Sequence, residues 1–185
     1  PCGSTYRAAP KYRPARDLTP LCTSRFLAPH NWSRAMKKVS QSDLKWRDRQ
    51  SPAGKYEAYG LDFGKPMDSA ASGHPFEMML LRVPPGKRPW PYHAHAQQWE
   101  FYYVIEGSGE MRLADGNVAF TKGDAMMCNA GEAHQIINNS EADLVVQIIA
   151  SNHAFDACNY PDSDKWAMRG NIFRTNETTY YDGEE

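Results

Sequence analysis

Short β-like runs separated by turn signals are the feature that most constrains how this sequence can fold. From residue 76 onward, eight runs of three to eight residues follow one another, and half of them are followed directly by Gly, Pro or Asn. The runs span residues 76–83, 91–95, 100–106, 111–113, 118–120, 125–128, 134–137 and 144–150. Strands this short and this closely spaced are typical of a sandwich or barrel, and they exclude a parallel α/β sheet. The sequence therefore predicts an all-β barrel.

The first 50 residues differ in character from the rest. Five prolines without a clear period lie within residues 1–30, which predicts an irregular, extended N-terminal arm. Residues 1–50 hold eleven Lys and Arg against three Asp and Glu, a charge of +8, whereas residues 51–185 carry a charge of −9. The predicted organisation is a basic arm (1–50), a barrel (51–158) and a polar tail with an acidic end (159–185).

The basic arm has two interpretations. Contact with nucleic acid is disfavoured, because the arm lacks the dense Lys and Arg blocks of a polyanion-binding segment. We favour contact with an acidic barrel, its own or that of a second copy. The expected assembly is a homodimer in which each arm adds an edge strand to a barrel. A disordered arm on a monomer is the alternative.

The location of the chain is predicted from its hydropathy and its cysteines. No apolar run approaches the roughly 20 residues that a membrane-spanning helix needs, and no signal-peptide core lies near the first residue. The four cysteines are scattered, without a CxxC pair. They are Cys2, Cys22, Cys128 and Cys158. This pattern predicts a soluble cytoplasmic protein with reduced, mostly unreactive thiols, and Cys128 as a buried structural one.

Two histidine-containing patches supply the candidate chemistry. His93 and His95 are two residues apart, so in a strand both side chains point to the same face. Glu100 has the opposite parity and can join them only if the chain turns between residues 96 and 99. His134 would arrive from a third strand. Three neutral imidazoles and one carboxylate suit Mn, Fe, Ni, Cu or Zn much better than Ca or Mg.

The same two patches resemble the two motifs of the cupin superfamily, in its single-domain form. The matching residues are His93, His95, Glu100 and Gly107 in the first motif, and Gly123, Gly131, His134 and Asn138 in the second. The resemblance covers about residues 74–151. It departs from the family pattern at Gly86, one residue too far upstream, and at Asn129, which replaces the usual Pro. Neither departure falls on a ligand position.

This resemblance implies a fold, a cofactor and a range of activities. The fold is a cupin-type double-stranded β-helix, also called a jelly-roll barrel. The cofactor is one divalent transition metal ion held by His93, His95, Glu100 and His134. The implied function is a metal-dependent enzyme acting on a small polar or anionic molecule, of the dioxygenase or the sugar or sugar-phosphate isomerase type. A cupin that binds a small molecule without turning it over is the alternative.

Three further residues are candidates for substrate contact or catalysis. Arg82 shares a strand face with Met78, and it either faces the barrel and binds an anion or pairs with an acid at the rim. Gln147 either contacts substrate or forms a hydrogen bond in the core. Tyr102 follows Glu100 by two residues, so we expect it on the same face, where it lines the pocket or packs.

Overall fold

The computed structural model describes residues 37–67, 73–176 and Asp182, and most of the predicted arm therefore lies outside the described residues. The described residues form thirteen strands and three single-turn 3-10 helices. The strands are β1 (Arg47–Gln50), β2 (Glu57–Asp62), β3 (Phe76–Val83), β4 (Ala94–His95), β5 (Glu100–Glu106), β6 (Ser108–Leu113), β7 (Gly116–Thr121), β8 (Ala125–Cys128), β9 (Gln135–Ile137), β10 (Leu144–Ser151), β11 (Ala157–Tyr160), β12 (Lys165–Met168) and β13 (Asn171–Phe173). The 3-10 helices are Gln41–Asp43, Lys65–Met67 and Pro161–Ser163.

These strands form three sheets. The six-stranded sheet has the order β1-β2-β3-β10-β5-β8, the three-stranded sheet β7-β6-β9, and the four-stranded sheet β13-β12-β11-β4. The predicted all-β barrel is confirmed, and β3, β5 and β8 begin and end at the residues where the sequence predicts strands. No helix in the described part of the chain is long and apolar enough to cross a membrane.

The core lies between the six-stranded and the three-stranded sheets. In β10, Leu144, Val146 and Ile148 are buried and alternate with half-buried residues. Met111 and Ile136, from the smaller sheet, belong to the same buried cluster. Full burial of one such side chain contributes about 1.5–3 kcal/mol, so this alternation determines which face of each strand points inward.

The register of four strands positions the inner wall of the barrel. Glu77, Ala150, Glu100 and Cys128 form one row across β3, β10, β5 and β8. Residues directly opposite one another in a ladder share a face, so all four side chains project to the inner side. Because Ala150 carries only a methyl group, space remains between the carboxylates of Glu77 and Glu100.

The predicted polar tail contains β-structure that the sequence did not reveal. Strand β11 crosses the predicted boundary between barrel and tail, and β12 and β13 lie within the tail. These three strands form a sheet with β4, in which Cys158 lies opposite His95 and Asn159 opposite Ala94. These strands are mostly half-buried or exposed, so they lack the alternation of apolar and polar residues by which strands are recognised.

Candidate metal centre

Backbone pairing brings the two histidine patches together. His93 and His134 form an antiparallel bridge, in which each N–H donates to the other residue's carbonyl, with N–O distances of 3.1 and 2.8 Å. The centroids of their imidazole rings are 4.7 Å apart, and His95 places its ring 5.1 Å from that of His93. One bridge therefore determines the spacing of side chains that are 41 residues apart in sequence.

The imidazoles converge on a single carboxylate oxygen. Oε2 of Glu100 lies 2.8 Å from Nε2 of His134 and 3.9 Å from Nε2 of both His93 and His95. Glu100 is 7 % exposed and His134 is 2 % exposed. The structure thus assembles the four side chains that the sequence singles out.

The orientation of each imidazole is set by an oxygen acceptor at its Nδ1 atom. The three pairs are His93 with the carbonyl of Pro91 at 3.0 Å, His134 with the carbonyl of Glu132 at 2.9 Å, and His95 with Oδ2 of Asp156 at 2.5 Å. A carbonyl or carboxylate oxygen can only accept, so each Nδ1 carries a proton. This arrangement directs Nε2 of each ring towards Glu100.

The charge state of the cluster follows from one shared proton. Burial alone would raise the pKa of Glu100, but the hydrogen bond and positive charge of His134 lower it to about 2. Burial alone would lower the pKa of His134, but hydrogen bonds with Cys128 and Glu100 raise it to about 10. Burial, together with the positive charge of His134, lowers the pKa of His93 to about 4. The cluster therefore holds its proton between Glu100 and His134.

This donor set fits a divalent transition metal ion. The structure turns three imidazole nitrogens and one carboxylate oxygen towards one point, and the imidazoles have outer hydrogen-bond partners of the kind that metal-bound histidines use. A bound divalent cation would take the place of the proton that Glu100 and His134 share. The cluster thus has the donors and the charge to hold an ion.

The hydroxyl of Tyr102 contacts two members of this cluster. Its side chain is fully buried, and its hydroxyl donates to Oε2 of Glu100 at 2.8 Å and lies 3.0 Å from Nε2 of His134. Burial, followed by the negative charge of Glu100, raises its pKa well above 10. The prediction that Tyr102 shares the face of Glu100 is correct, and the protonated hydroxyl orients the carboxylate.

A cavity of about 210 Å³ opens beside the cluster. Its wall consists of Arg49, Glu77, Met79, Trp90, His93, His95, Glu100, Ile148, Ala150, Cys158 and Tyr160. Among the described residues, Arg49 forms no ion pair and Glu77 has no hydrogen-bond partner. Desolvation, followed by the negative charges of Asp62 and Glu100, raises the pKa of Glu77. The cavity therefore combines an unpaired cation with a carboxyl group of raised pKa.

Of the two alternatives for Arg82, the structure shows the arginine that pairs with an outer acid. Leu81 and Val83 take the inner face of β3, so Arg82 points outward. There its guanidinium donates to Oδ2 of Asp143 at 3.1 Å and lies 4.4 Å from the centre of the Tyr59 ring. This is the alternative of an arginine paired with an outer acid.

Gln147 is likewise outside the cavity. Val146 and Ile148 occupy the inner face of β10, and the amide of Gln147 donates to Sδ of Met78 on the outer face at 2.9 Å. Its polar side chain is accommodated there because that face is only half-buried. Of the two alternatives for Gln147, the structure shows a hydrogen bond, but it lies on the outer face and not in the core.

Four residues near the centre were not found from the sequence: Arg49, Glu77, Asp156 and Cys158. Glu77 shares the parity of Leu81 and Val83, so the correct face for β3 would have identified it. Arg49 and Asp156 have no local signal, because contacts distant in sequence bring them to the site. Cys158 was expected to be an ordinary thiol, yet it lines the cavity.

The fold and the cluster define a double-stranded β-helix protein with a histidine–carboxylate centre. The family model of the Cupin domain matches residues 79–150. A solved structure has the same fold, a sugar phosphate isomerase of the cupin superfamily from Silicibacter pomeroyi. It superposes with a TM-score of 0.65 at 22 % sequence identity. The superposition covers 78 % of this chain and 98 % of that one. Residues 79–150 thus match the Cupin domain, and the described residues have the fold of a cupin-type double-stranded β-helix.

Two further relatives come from Thermotoga maritima. An oxalate-binding protein is 31 % identical over 64 residues, which are 35 % of this chain and 52 % of that protein. The chain thus spans about half the length of this curated relative. The crystal structure of a predicted oxalate decarboxylase superposes with a TM-score of 0.53 at 22 % identity, over 63 % of this chain and all of that one. Structural likeness at such identity shows a shared fold.

Proposed function

We propose that this chain is a metal-dependent cupin enzyme that acts on a small anionic molecule. The observation that carries the proposal is the convergence of His93, His95 and His134 on Oε2 of Glu100, at the wall of a cavity. These four residues hold one divalent ion of the group Mn, Fe, Ni, Cu and Zn. When bound, the ion supplies a Lewis acid that polarises a substrate oxygen.

Arg49 selects for the anionic group of the substrate. It lies on β1 directly opposite the buried Ala58, so the register places it on the inner face of the sheet. Its guanidinium forms no ion pair with a carboxylate in the described part of the chain. An arginine fork matches a carboxylate or a phosphate in two parallel hydrogen bonds. The anionic group of a substrate would therefore pair with the guanidinium of Arg49.

Glu77 transfers a proton within the bound substrate. The row across β3, β10 and β5 puts this carboxyl on the same face as Glu100, with the small Ala150 between them. Burial raises the pKa of Glu77 towards neutral pH. A carboxyl group whose pKa lies nearer the working pH both accepts and returns a proton more efficiently. Proton transfer between neighbouring carbons is the chemistry of an isomerase acting on a sugar or sugar phosphate, and it needs no oxidant.

Solvent-exchange NMR tests this proposal. The metal-loaded chain is incubated in deuterated water with sugar phosphates and small hydroxy acids. We expect deuterium to appear at one substrate carbon, Glu77→Gln to lose this exchange with unchanged metal content, and Glu141→Gln, at an exposed carboxylate, to retain it. Oxygen uptake without deuterium incorporation would instead establish a dioxygenase.

A binding module without turnover is the second candidate. It is favoured by the similarity to an oxalate-binding protein over 64 residues. Calorimetry with oxalate and the metal-loaded chain distinguishes the two functions. Tight oxalate binding, with neither deuterium exchange nor oxygen uptake for any tested compound, would establish the binding module and exclude the enzyme.

The proposed function includes a dimeric assembly and a cytoplasmic location. We expect a homodimer in which each basic arm, residues 1–50, runs along a barrel, because sheet edges are usually paired or covered and the rest of the chain is acidic. Light scattering at low and high salt tests this, and a monomer at both salt concentrations would refute it. The free thiols Cys128 and Cys158 suit the reducing cytoplasm.

A further inference from the structure

The pairing of β4 with β11 places the side chain of Cys158 on the same side as the histidines. It lies directly opposite His95 in the β4–β11 ladder. Side chains that face each other across an antiparallel ladder share a face, with Cβ atoms about 4.5–5.5 Å apart. The pairing thus puts a thiol beside an imidazole whose Nε2 is turned towards the centre.

The distances allow this thiol and two imidazoles to bind a common ion. One ligand atom from each of His93, His95 and Cys158 lies within 4.8 Å of the other two. Two ligands on opposite sides of an ion, one sulfur at about 2.3 Å and one nitrogen at about 2.1 Å, are about 4.4 Å apart, so these separations require little adjustment. His93 also belongs to the set with Glu100 and His134, so the two sets share one ligand.

Burial and accessibility both favour a ligand role. Cys158 is 8 % exposed, and the surface that it retains faces the cavity. Cys128 interacts with His134, but it packs in the apolar core cluster and does not line the cavity. Of the two buried thiols of the described barrel, Cys158 is therefore the one that faces the cavity.

We propose that Cys158 is a fifth protein ligand of the ion bound by His93, His95, Glu100 and His134. The inference rests on the proposed metal centre and adds a soft donor to it. On binding, the thiol releases its proton to solvent and coordinates as a thiolate. A thiolate favours Zn and other thiophilic ions over Mn and Mg. In a six-coordinate ion it leaves one position for substrate.

Cobalt substitution tests the ligand assignment. Co²⁺ bound by a thiolate shows a sulfur-to-cobalt charge-transfer band in the near ultraviolet, and imidazole or carboxylate ligands do not produce it. We expect the full-length chain loaded with one Co²⁺ to show this band, Cys158→Ser to lose it, and Cys128→Ser to retain it. Bound cobalt is measured after gel filtration for each variant, and circular dichroism confirms that each one folds.

The possible outcomes separate this inference from the proposed function. Cobalt bound without the band in the wild-type chain overturns the ligand role of Cys158 and leaves the metal centre intact. Loss of the band in Cys128→Ser but not in Cys158→Ser also overturns it. A chain that takes up no cobalt overturns both the inference and the proposed metal centre.

A second measurement uses only the wild-type chain. Iodoacetamide alkylates a free thiol, whereas a metal-bound thiolate is protected. We expect Zn²⁺ loading to slow alkylation of Cys158 by about 10-fold or more, since attack then requires dissociation of the Zn–S bond. Peptide mass spectrometry locates the label and normalises it to cysteine-free peptides of the same digest. Equal labelling of Cys158 with and without stoichiometric Zn²⁺ would refute coordination.

Discussion

Oδ2 of Asp156 lies 2.5 Å from Nδ1 of His95, across 61 residues of sequence. Oδ1 of the same carboxylate accepts the backbone N–H groups of Gln97 at 2.8 Å and Gln98 at 3.3 Å. Burial alone would raise the pKa of Asp156, but the hydrogen bonds of His95 and Gln97 lower it. The charged carboxylate is thus held by three donors, and it sets the orientation of the His95 ring.

Removing this carboxylate should weaken metal binding without abolishing it. We expect Asp156→Ala to lower the affinity for Zn²⁺ by about 10- to 100-fold, because His95 loses the partner that sets its orientation and basicity. Chelator competition measures the change. Asp162→Ala is the matched control, since Asp162 pairs with Arg112 on the surface. An affinity equal to that of the control would contradict this role.

Removing one of the two facing imidazoles should have a larger effect. We expect His95→Ala to abolish stoichiometric metal binding, because His93 is then the one imidazole ligand left in the first motif. Elemental analysis after dialysis measures the metal content. His153→Ala, at an exposed histidine, should remain fully loaded. An unchanged metal content in His95→Ala would be incompatible with the proposed centre.

Metal affinity should rise with pH. In the metal-free chain, Glu100 and His134 hold one proton between pKa values of about 2 and about 10. A bound ion expels this proton, so acid opposes binding, and the apparent association constant should increase by about 10-fold per pH unit or more near neutrality. Competition titrations at several pH values measure the slope. A flat profile would indicate that the ion binds elsewhere.

The turn after β5 should tolerate no side chain. Gly107 has φ +83°, and a Cβ built there would lie 2.5 Å from the carbonyl oxygen of Asp143. Gly86 has φ +71° with open space around it, so it provides the control for backbone strain alone. We expect Gly86→Ala to cost about 1–2 kcal/mol of unfolding free energy, and Gly107→Ala to cost about 1–3 kcal/mol more. Urea unfolding measures both, and equal losses would contradict the close approach.

Arg49 should determine the affinity for anions. We expect Arg49→Gln to weaken the binding of phosphate or oxalate to the metal-loaded chain by about 10-fold or more, because one charge-assisted contact contributes about 1.5–3 kcal/mol. Calorimetry measures the affinity. Arg82→Gln, at an arginine on the outer face, should bind these anions as the wild type does. Equal affinities in the two variants would exclude Arg49 as the anion site.

The sequence by itself determined the barrel and the four side chains of the centre. Apolar alternation and turn residues are local signals, so β3, β5 and β8 could be predicted to the residue. The spacing of His93, His95, Glu100 and His134 is also readable along the chain. The sequence did not reveal which face of β3 points inward. Arg82 and Glu77 lie on opposite faces of this strand, and both faces carry apolar residues.

Only the tertiary structure decided what surrounds the four ligands. Asp156 and Cys158 reach His95 through β11, a short half-buried strand whose pairing with β4 leaves no local pattern. Arg49 reaches the cavity through the register of an edge strand. Ligand positions depend on spacing within a strand, which sequence records, whereas their neighbours depend on which strands pair and in what register, a result of burying the whole core at once.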